Sequence, residues 1–246
     1  MKCALTLLFA FCGLLNLVAQ NTILGHSHND YAQQYPLKTA FDARMGSIEA
    51  DVYLVNNNLF VAHDAKDIHP SKSLDKLYLK PLAKNVRKKK AYPLILLIDI
   101  KSQSDSTLTA IIEHISSYSS FLEAHCPIQF VISGNRPHPE KWSSYPTFIQ
   151  FDGRPDENYT PKQWTRVGMV SESFGKYVRF GQKNMSQEVF ERMKMVVDRI
   201  HTQNKKVRFW ATPDTPDIWQ TLMNLKVDFI NTDSPAALRL FLNAKS

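Results

Sequence analysis

Eight times along the chain an apolar, β-branched run of strand length appears, and stretches with helical spacing lie between these runs. The runs are residues 22–26, 47–54, 94–101, 128–134, 147–152, 167–173, 207–212 and 227–233. A strand that returns through a helix to the next strand pairs with it in parallel. Eight such units is the number that closes a (β/α)8 barrel. The alternative, an open doubly wound sheet, usually carries a glycine-rich turn after its first strand. Here that turn reads His26-Ser27-His28-Asn29-Asp30-Tyr31, without glycine. The expected fold class is therefore α/β, a (β/α)8 TIM barrel. A further short run, residues 59–63, follows Asn56-Asn57-Asn58, which predicts a hairpin.

The intervening segments carry helix signals. Ser186 is placed to cap a helix whose face is Val189, Phe190, Met193, Val196, Val197 and Ile200. Asp105 or Ser106 is placed to cap a helix carrying Leu108, Ile111, Ile112 and Ile115. Pro36 suits the first turn of another, and Ser234-Pro235 opens the last. Between Arg136 and Arg166 proline and aromatic residues dominate, and the helices there are expected to be weakest.

The N-terminus differs from the rest. Lys2 is followed by an almost wholly apolar stretch that ends at Ala19. This pattern predicts a secretory signal peptide over residues 1–19 and an exported mature chain, periplasmic or secreted, with residues 20–246 as one barrel domain. Cleavage removes one base and no acid, so the net charge falls from +7 to +6. It also removes Cys3 and Cys12, leaving Cys126 as a buried, inert thiol with no disulfide partner. With 43% apolar and 22% charged residues the chain is not of the disordered class. Nucleic acid binding has no support beyond charge. The run Arg87-Lys88-Lys89-Lys90, with Lys80 and Lys84, is a helix end that would draw the barrel to anionic lipid head groups.

Catalytic groups of a barrel sit at the C-terminal ends of its strands. In Ile48-Glu49-Ala50-Asp51-Val52 the strand period puts both carboxylates on one face and the apolar residues on the other. Two like charges this close in a low-dielectric site repel, and a divalent cation resolves the repulsion. Oxygen ligands favour Mg²⁺ or Ca²⁺. Asp99 and Lys101 share a face in the same way, so Asp99 is either a further ligand or the partner of Lys101. His26, His28 and His63 stand at or near strand ends, while the other five histidines fall in loops and helices. A histidine beside a metal-bound phosphate is suited to proton transfer near neutral pH. Asn135, Trp210 and Asp233 close later strands and are candidate substrate contacts, and Arg136 and Arg154 lie close enough to the mouth to reach phosphate.

Four segments in order, Ser27-His28-Asn29-Asp30-Tyr31, Ile48-Glu49-Ala50-Asp51-Val52, Val61-Ala62-His63-Asp64 and Ile98-Asp99-Ile100-Lys101, resemble the phosphatidylinositol-phospholipase-C/glycerophosphodiester-phosphodiesterase superfamily. Within it they look most like the altered-inheritance-of-mitochondria family. The closing segment, Trp210 through Pro235, resembles the end of a glycerophosphodiesterase barrel. The resemblance implies a metal-dependent phosphoric diester hydrolase acting on a glycerophosphodiester or phospholipid-type substrate. It implies two catalytic histidines, His63 and one of His28 and His26, and a divalent cation held by Glu49, Asp51, Asp99 and Asn29. Lys101 would touch the phosphate. The family's usual His-Arg-Gly start is absent, and Pro36-Leu37-Lys38-Thr39 stands where a carboxylate is common. That departure keeps a non-catalytic barrel binding a phospholipid or phosphosugar in view. The sequence His26-Ser27-His28 keeps a zinc hydrolase of the amidohydrolase type in view, although that class needs further histidines at later strand ends.

Overall fold

The computed structural model describes residues 23–179 and 185–245. The expected signal peptide, with Cys3 and Cys12, lies outside the described residues.

The strands are β1 (Leu24–Ser27), β2 (Ser47–Val55), β3 (Asn58–Val61), β4 (Leu94–Ile100), β5 (Ile128–Gly134), β6 (Ile149–Gly153), β7 (Val167–Ser173), β8 (Val207–Trp210) and β9 (Phe229–Thr232). All but β3 are parallel, and the order β1-β9-β8-β7-β6-β5-β4-β2 is closed by pairing of β1 with β2. The chain is thus the closed eight-stranded barrel that the alternation predicts. Strand β3 lies outside the ring, antiparallel to β2. Its turn is made by Asn56 and Asn57 at φ 48° and 61°, between the paired residues Val55 and Asn58. Asparagine tolerates this left-handed backbone better than most side chains, and such turns match the twist of the strands they join.

The helices are α1 (Lys38–Asp42), α2 (Lys80–Arg87), α3 (Ser104–Ser116), α4 (Pro161–Trp164), α5 (Gln187–His201), α6 (Pro216–Asn224) and α7 (Pro235–Asn243). Ser186 caps α5 by accepting from Val189 N–H, and Pro235 opens α7, both as expected. Two expected starts move. Gln103, not Asp105 or Ser106, caps α3: its Oε1 accepts from Ser106 N–H at 2.9 Å. Asp105 falls inside the first turn, where a negative charge complements the helix dipole, and pairs with Lys141. Pro36 lies before α1, because Leu37 sits at φ 60°, outside right-handed helical geometry, with its N–H on the buried carboxylate of Asp30, and the helix begins only at Lys38. Between β5 and β6 only a 3₁₀ segment, Pro139–Ser144, forms, and its Trp142 stacks on Phe151 at 4.6 Å. Cys126 is half-buried rather than buried, and burial pushes its thiol pKa up.

The barrel interior changes character along the strands. Its floor is apolar: Leu24, Ile95, Leu97, Val131, Met169 and Phe229 pack together. Two residues further along five strands, the same inward face turns polar: Leu24 to His26, Leu97 to Asp99, Val131 to Ser133, Met169 to Ser171, and Phe229 to Asn231. The outward positions between them, such as Ile48, Ala50, Ile98 and Ile132, join the main core under the helices. A dry plug therefore supports a polar layer that faces the C-terminal mouth.

Candidate active site at the barrel mouth

Strands β2 and β4 place three carboxylates in this polar layer. Glu49 and Asp51 alternate on β2, and Asp51 is in register with Asp99 on β4. One ligand oxygen from each of the three lies within 4.8 Å of the others. Asp51 Oδ1 and Asp99 Oδ1 are buried and accept no hydrogen bond among the described residues. The Lys101 ammonium stands 3.0 Å from Asp99 Oδ1 and 3.3 Å from Asp51 Oδ2, and partly offsets the charge. Burial, opposed by Lys101, pushes the Asp99 carboxyl up to about 6. Burial and then the charge of Glu49 push Asp51 up as well. Clustered, buried hard-oxygen acceptors that resist ionisation, one of them without a partner among the described residues, are what a cation of the Mg²⁺ or Ca²⁺ type would satisfy, so the donor set fits one.

Glu49 is held differently. Its Oε2 receives Arg208 Nη1 at 2.8 Å and faces His26 Nε2 at 2.8 Å. Burial works against its charge, but Arg208 and His26 outweigh it and hold the carboxyl well below the usual range. Arg208 also reaches Asn231 Oδ1 and Ser171 Oγ, each at 3.2 Å. Gly134, at φ 66°, covers Asp99: a Cβ there would lie 2.2 Å from Asp99 Oδ1.

The three histidines separate. His26 is wholly buried, with Nδ1 2.8 Å from Ser47 Oγ and Nε2 between Glu49 and Arg208. Burial and then the Arg208 charge lower its pKa to about 3, so the ring is neutral. A neutral Nε2 either donates to Glu49 or accepts from Arg208. His28 lies at the mouth with Nδ1 2.8 Å from Asp233 Oδ1, and the Asp233 backbone is itself held by Asp214. His63 is 62% exposed, with Nδ1 3.2 Å from Asp51 Oδ2. His26 and His28 take different partners, Glu49 and Asp233, and the ligand group among the described residues is made of carboxylates, with no histidine among its members. This gives the zinc reading no support.

Asn29 reaches the cluster through Tyr31. Tyr31 Oη lies 2.6 Å from Asn29 Oδ1 and 2.8 Å from Asp51 Oδ2. One hydroxyl proton cannot serve two acceptors; both contacts are satisfied when Tyr31 donates to Asp51 and the Asn29 amide is turned to donate to Tyr31. Asn29 itself sits at φ 46°. Its neighbour Asp30 is structural: buried, it accepts from Ser27 Oγ, Leu37 N–H and Tyr78 Oη. Trp210 ends β8 partly exposed at the rim. Asn135 turns its amide to the carbonyls of Ser102 and Lys101 and so ties two rim loops together.

Sequence reasoning passed over Arg208; Arg154, expected near the mouth, stands there on Asp152 and Ser133. Arg208 was detectable: in Val207-Arg208-Phe209-Trp210 it shares the inward phase of Trp210 and is flanked by apolar neighbours. The basic run 87–90 is exposed and follows the end of α2 just before β4 begins, which puts it on the face of the barrel opposite the mouth.

A closed parallel barrel with an acidic cluster and flanking histidines at its C-terminal mouth has the form of a phosphodiesterase barrel, and comparison with known proteins agrees. Residues 18–93 match the AIM6-like phosphodiesterase domain, and residues 206–244 match the glycerophosphoryl diester phosphodiesterase family. The chain is 26% identical to altered inheritance of mitochondria protein 6 of Eremothecium gossypii, over 88% of this chain and 68% of that one. It is 24% identical to a homologue of that protein in Arthroderma benhamiae, over 87% and 82% respectively. Among solved structures, a glycerophosphodiester phosphodiesterase from Parabacteroides distasonis superposes with a TM-score of 0.60 at 16% identity, covering 91% of this chain and 98% of that one. A Ca²⁺-dependent phosphatidylinositol-specific phospholipase C from Streptomyces antibioticus superposes at 0.56 with 10% identity, covering 91% and 96%. The two family matches and these relatives support the resemblance to the phospholipase-C-like/glycerophosphodiester phosphodiesterase superfamily that the sequence segments carry, and the solved structures share its barrel fold.

Proposed function

We propose that the protein is a metal-dependent phosphoric diester hydrolase acting on a glycerophosphodiester or phospholipid-type substrate. The observation that carries this reading is the Glu49–Asp51–Asp99 oxygen cluster, in which Asp51 Oδ1 has no partner among the described residues and Asp99 Oδ1 has only the Lys101 ammonium, beside the exposed ring of His63. Glu49, Asp51 and Asp99 would hold the cation, with Asn29 kept near through Tyr31. When bound, such a cation neutralises charge on a diester oxygen and lowers the pKa of an attacking hydroxyl.

The chain's own residues supply the rest. Asp233 orients His28 and Asp51 orients His63, leaving the second nitrogen of each ring for proton transfer. One ring takes the nucleophile's proton and the other protonates the departing alcohol. His26 reaches no solvent, so its role is to position Glu49. Lys101 lies beside the cluster, ready to shift from carboxylate to phosphate. Hydrolysis of bis-p-nitrophenyl phosphate and of glycerophosphodiesters tests the reading. Turnover should need Mg²⁺, Ca²⁺ or Mn²⁺ and vanish with chelator; inactivity with all three metals overturns it.

Two further readings travel with this one. The apolar N-terminus supports export, which sequencing of the mature protein's first residues checks. The basic run 87–90 supports contact with anionic lipid, but from the face opposite the mouth, so it would tether the barrel rather than present substrate.

A further inference from the structure

We propose that Arg154 is a specificity residue that binds a second anionic group, a phosphate monoester or a carboxylate, carried on the leaving group of the substrate. The inference rests on the hydrolase reading above for the word substrate, but its geometry is independent of the histidines and of the carboxylate cluster.

The guanidinium is built into the mouth. Its Nη1 donates to Asp152 Oδ2 at 2.7 Å and to the Gly153 carbonyl at 3.0 Å, and its Nη2 donates to Ser133 Oγ at 3.3 Å. Its backbone N–H donates to Tyr159 Oη at 2.8 Å. Tyr159 in turn bonds Glu157, which takes both Nη2 bonds of Arg136. The loop after β6 is therefore fixed from several sides. A guanidinium has five N–H donors. Three are used here; Nε–H and the second Nη2 proton have no partner among the described residues.

The charge has a direction. The Arg154 side chain is 27% exposed and that of Asp152 is 0% exposed. The pair thus offers its positive edge to the mouth and keeps its negative end below. Fold stability alone does not call for the pair: burying an ion pair is often no better than burying apolar groups, and Asp152 Oδ1 lacks a partner among the described residues. Of the other cations around the mouth, Lys101 is assigned to the reacting phosphate, and three more are engaged elsewhere. Arg136 is turned inward over Trp142, Arg208 is buried on Glu49, and Lys176 is held by Glu172 and Asp156.

The location fits a leaving group. Ser133, which Arg154 touches, is the register partner of Asp99. Neighbouring strands lie about 4.8 Å apart. The free donors of Arg154 are thus one strand spacing and one hydrogen bond from the cluster that would hold the reacting phosphate, within reach of an anion on the departing alcohol.

Matched ligands test this. Glycerophosphoinositol 4-phosphate against glycerophosphoinositol changes only a phosphate monoester. Glycerophosphoglycerate against glycerophosphoglycerol changes only a carboxylate. Binding is measured by calorimetry with chelator present, and hydrolysis separately with metal. At least one anionic member should bind about tenfold or more tightly than its neutral partner, the strength of a charge-assisted bond, and whichever pair responds identifies the anion. In Arg154→Met that ratio should fall toward one, and in Arg154→Lys it should recover in part. Equal binding of both members in both pairs by the wild-type protein overturns the inference, and so does a ratio unchanged in Arg154→Met. Selective binding without hydrolysis would leave the inference standing and remove the hydrolase reading. Hydrolysis without selectivity would do the reverse.

Discussion

Arg208 and Glu49 meet at 2.8 Å across the barrel interior, from strands β8 and β2, with side chains only 4% and 7% exposed. The contact joins the floor of the candidate metal site to the opposite wall through Ser171 and Asn231. Removing one partner of a buried pair strands the other charge. Arg208→Met should therefore lower stability by about 3–5 kcal/mol, read by urea unfolding, whereas Arg208→Met combined with Glu49→Leu should recover much of that loss. Failure of the double variant to recover would show that the guanidinium is held for its bonds to Ser171 and Asn231 instead.

The exposed histidine offers the opposite combination. His63 rests on the surface of the cluster, so His63→Ala should change stability by no more than about 0.5 kcal/mol. The same variant should reduce kcat by about 10²- to 10⁴-fold, the usual worth of a general acid or base. His28→Ala should act alike and Asp233→Asn more mildly, since Asp233 only orients the ring. His26→Ala should instead unfold the protein at lower denaturant, because it opens a cavity and removes bonds to both Ser47 and Glu49.

The alternation of strand and helix made the barrel legible, and the period within Ile48-Glu49-Ala50-Asp51-Val52 made the acidic face legible, because both depend on spacing along one strand. Contacts between distant strands left no such trace. That Glu49 would be neutralised by an arginine more than a hundred residues away required the closed ring to bring β8 opposite β2. His26 and His28 are two residues apart in sequence, yet one points into the barrel and the other sits past the strand's end on Asp233. The absent His-Arg-Gly arginine points to a site without a guanidinium, but Arg208 brings one to His26 from the far wall. The start of α1 escaped the sequence for a similar reason: Leu37, whose N–H is held by the buried carboxylate of Asp30, takes φ 60° and keeps Pro36 out of the helix.

The raised pKa of Asp99 gives the metal-free protein a characteristic pH response. Its folded value of about 6 exceeds the ordinary 3.8, so the folded state holds this proton more tightly than the unfolded chain does. The resulting stability is fully present below the ordinary value and is lost as pH rises through about 6. In chelator, the stability of the wild type relative to Asp99→Asn should therefore fall between those two values. Mg²⁺ or Ca²⁺ should reverse the trend, since the cation needs the ionised carboxylate, and its affinity should weaken as pH drops below about 6 with protons taken up on release. Calorimetry in buffers of different ionisation enthalpy counts those protons.

Gly134 is where backbone and site are coupled most directly. At φ 66° it occupies the left-handed region, and an added Cβ would lie 2.2 Å from Asp99 Oδ1 and 2.5 Å from the Ile100 carbonyl. The backbone term alone costs an L-residue about 1–2 kcal/mol. The carboxylate must also move, because a backbone carbonyl in a paired strand cannot. Gly134→Ala should thus lower stability by at least that backbone term and, independently, weaken Ca²⁺ or Mg²⁺ binding by displacing one of the three clustered oxygens. Gly175→Ala is the control: its Cβ would meet only Ser173 Oγ, at 3.4 Å, and both readouts should stay near the wild-type values. Loss of stability without loss of metal affinity in Gly134→Ala would mean that Asp99 Oδ1 is not among the ligands.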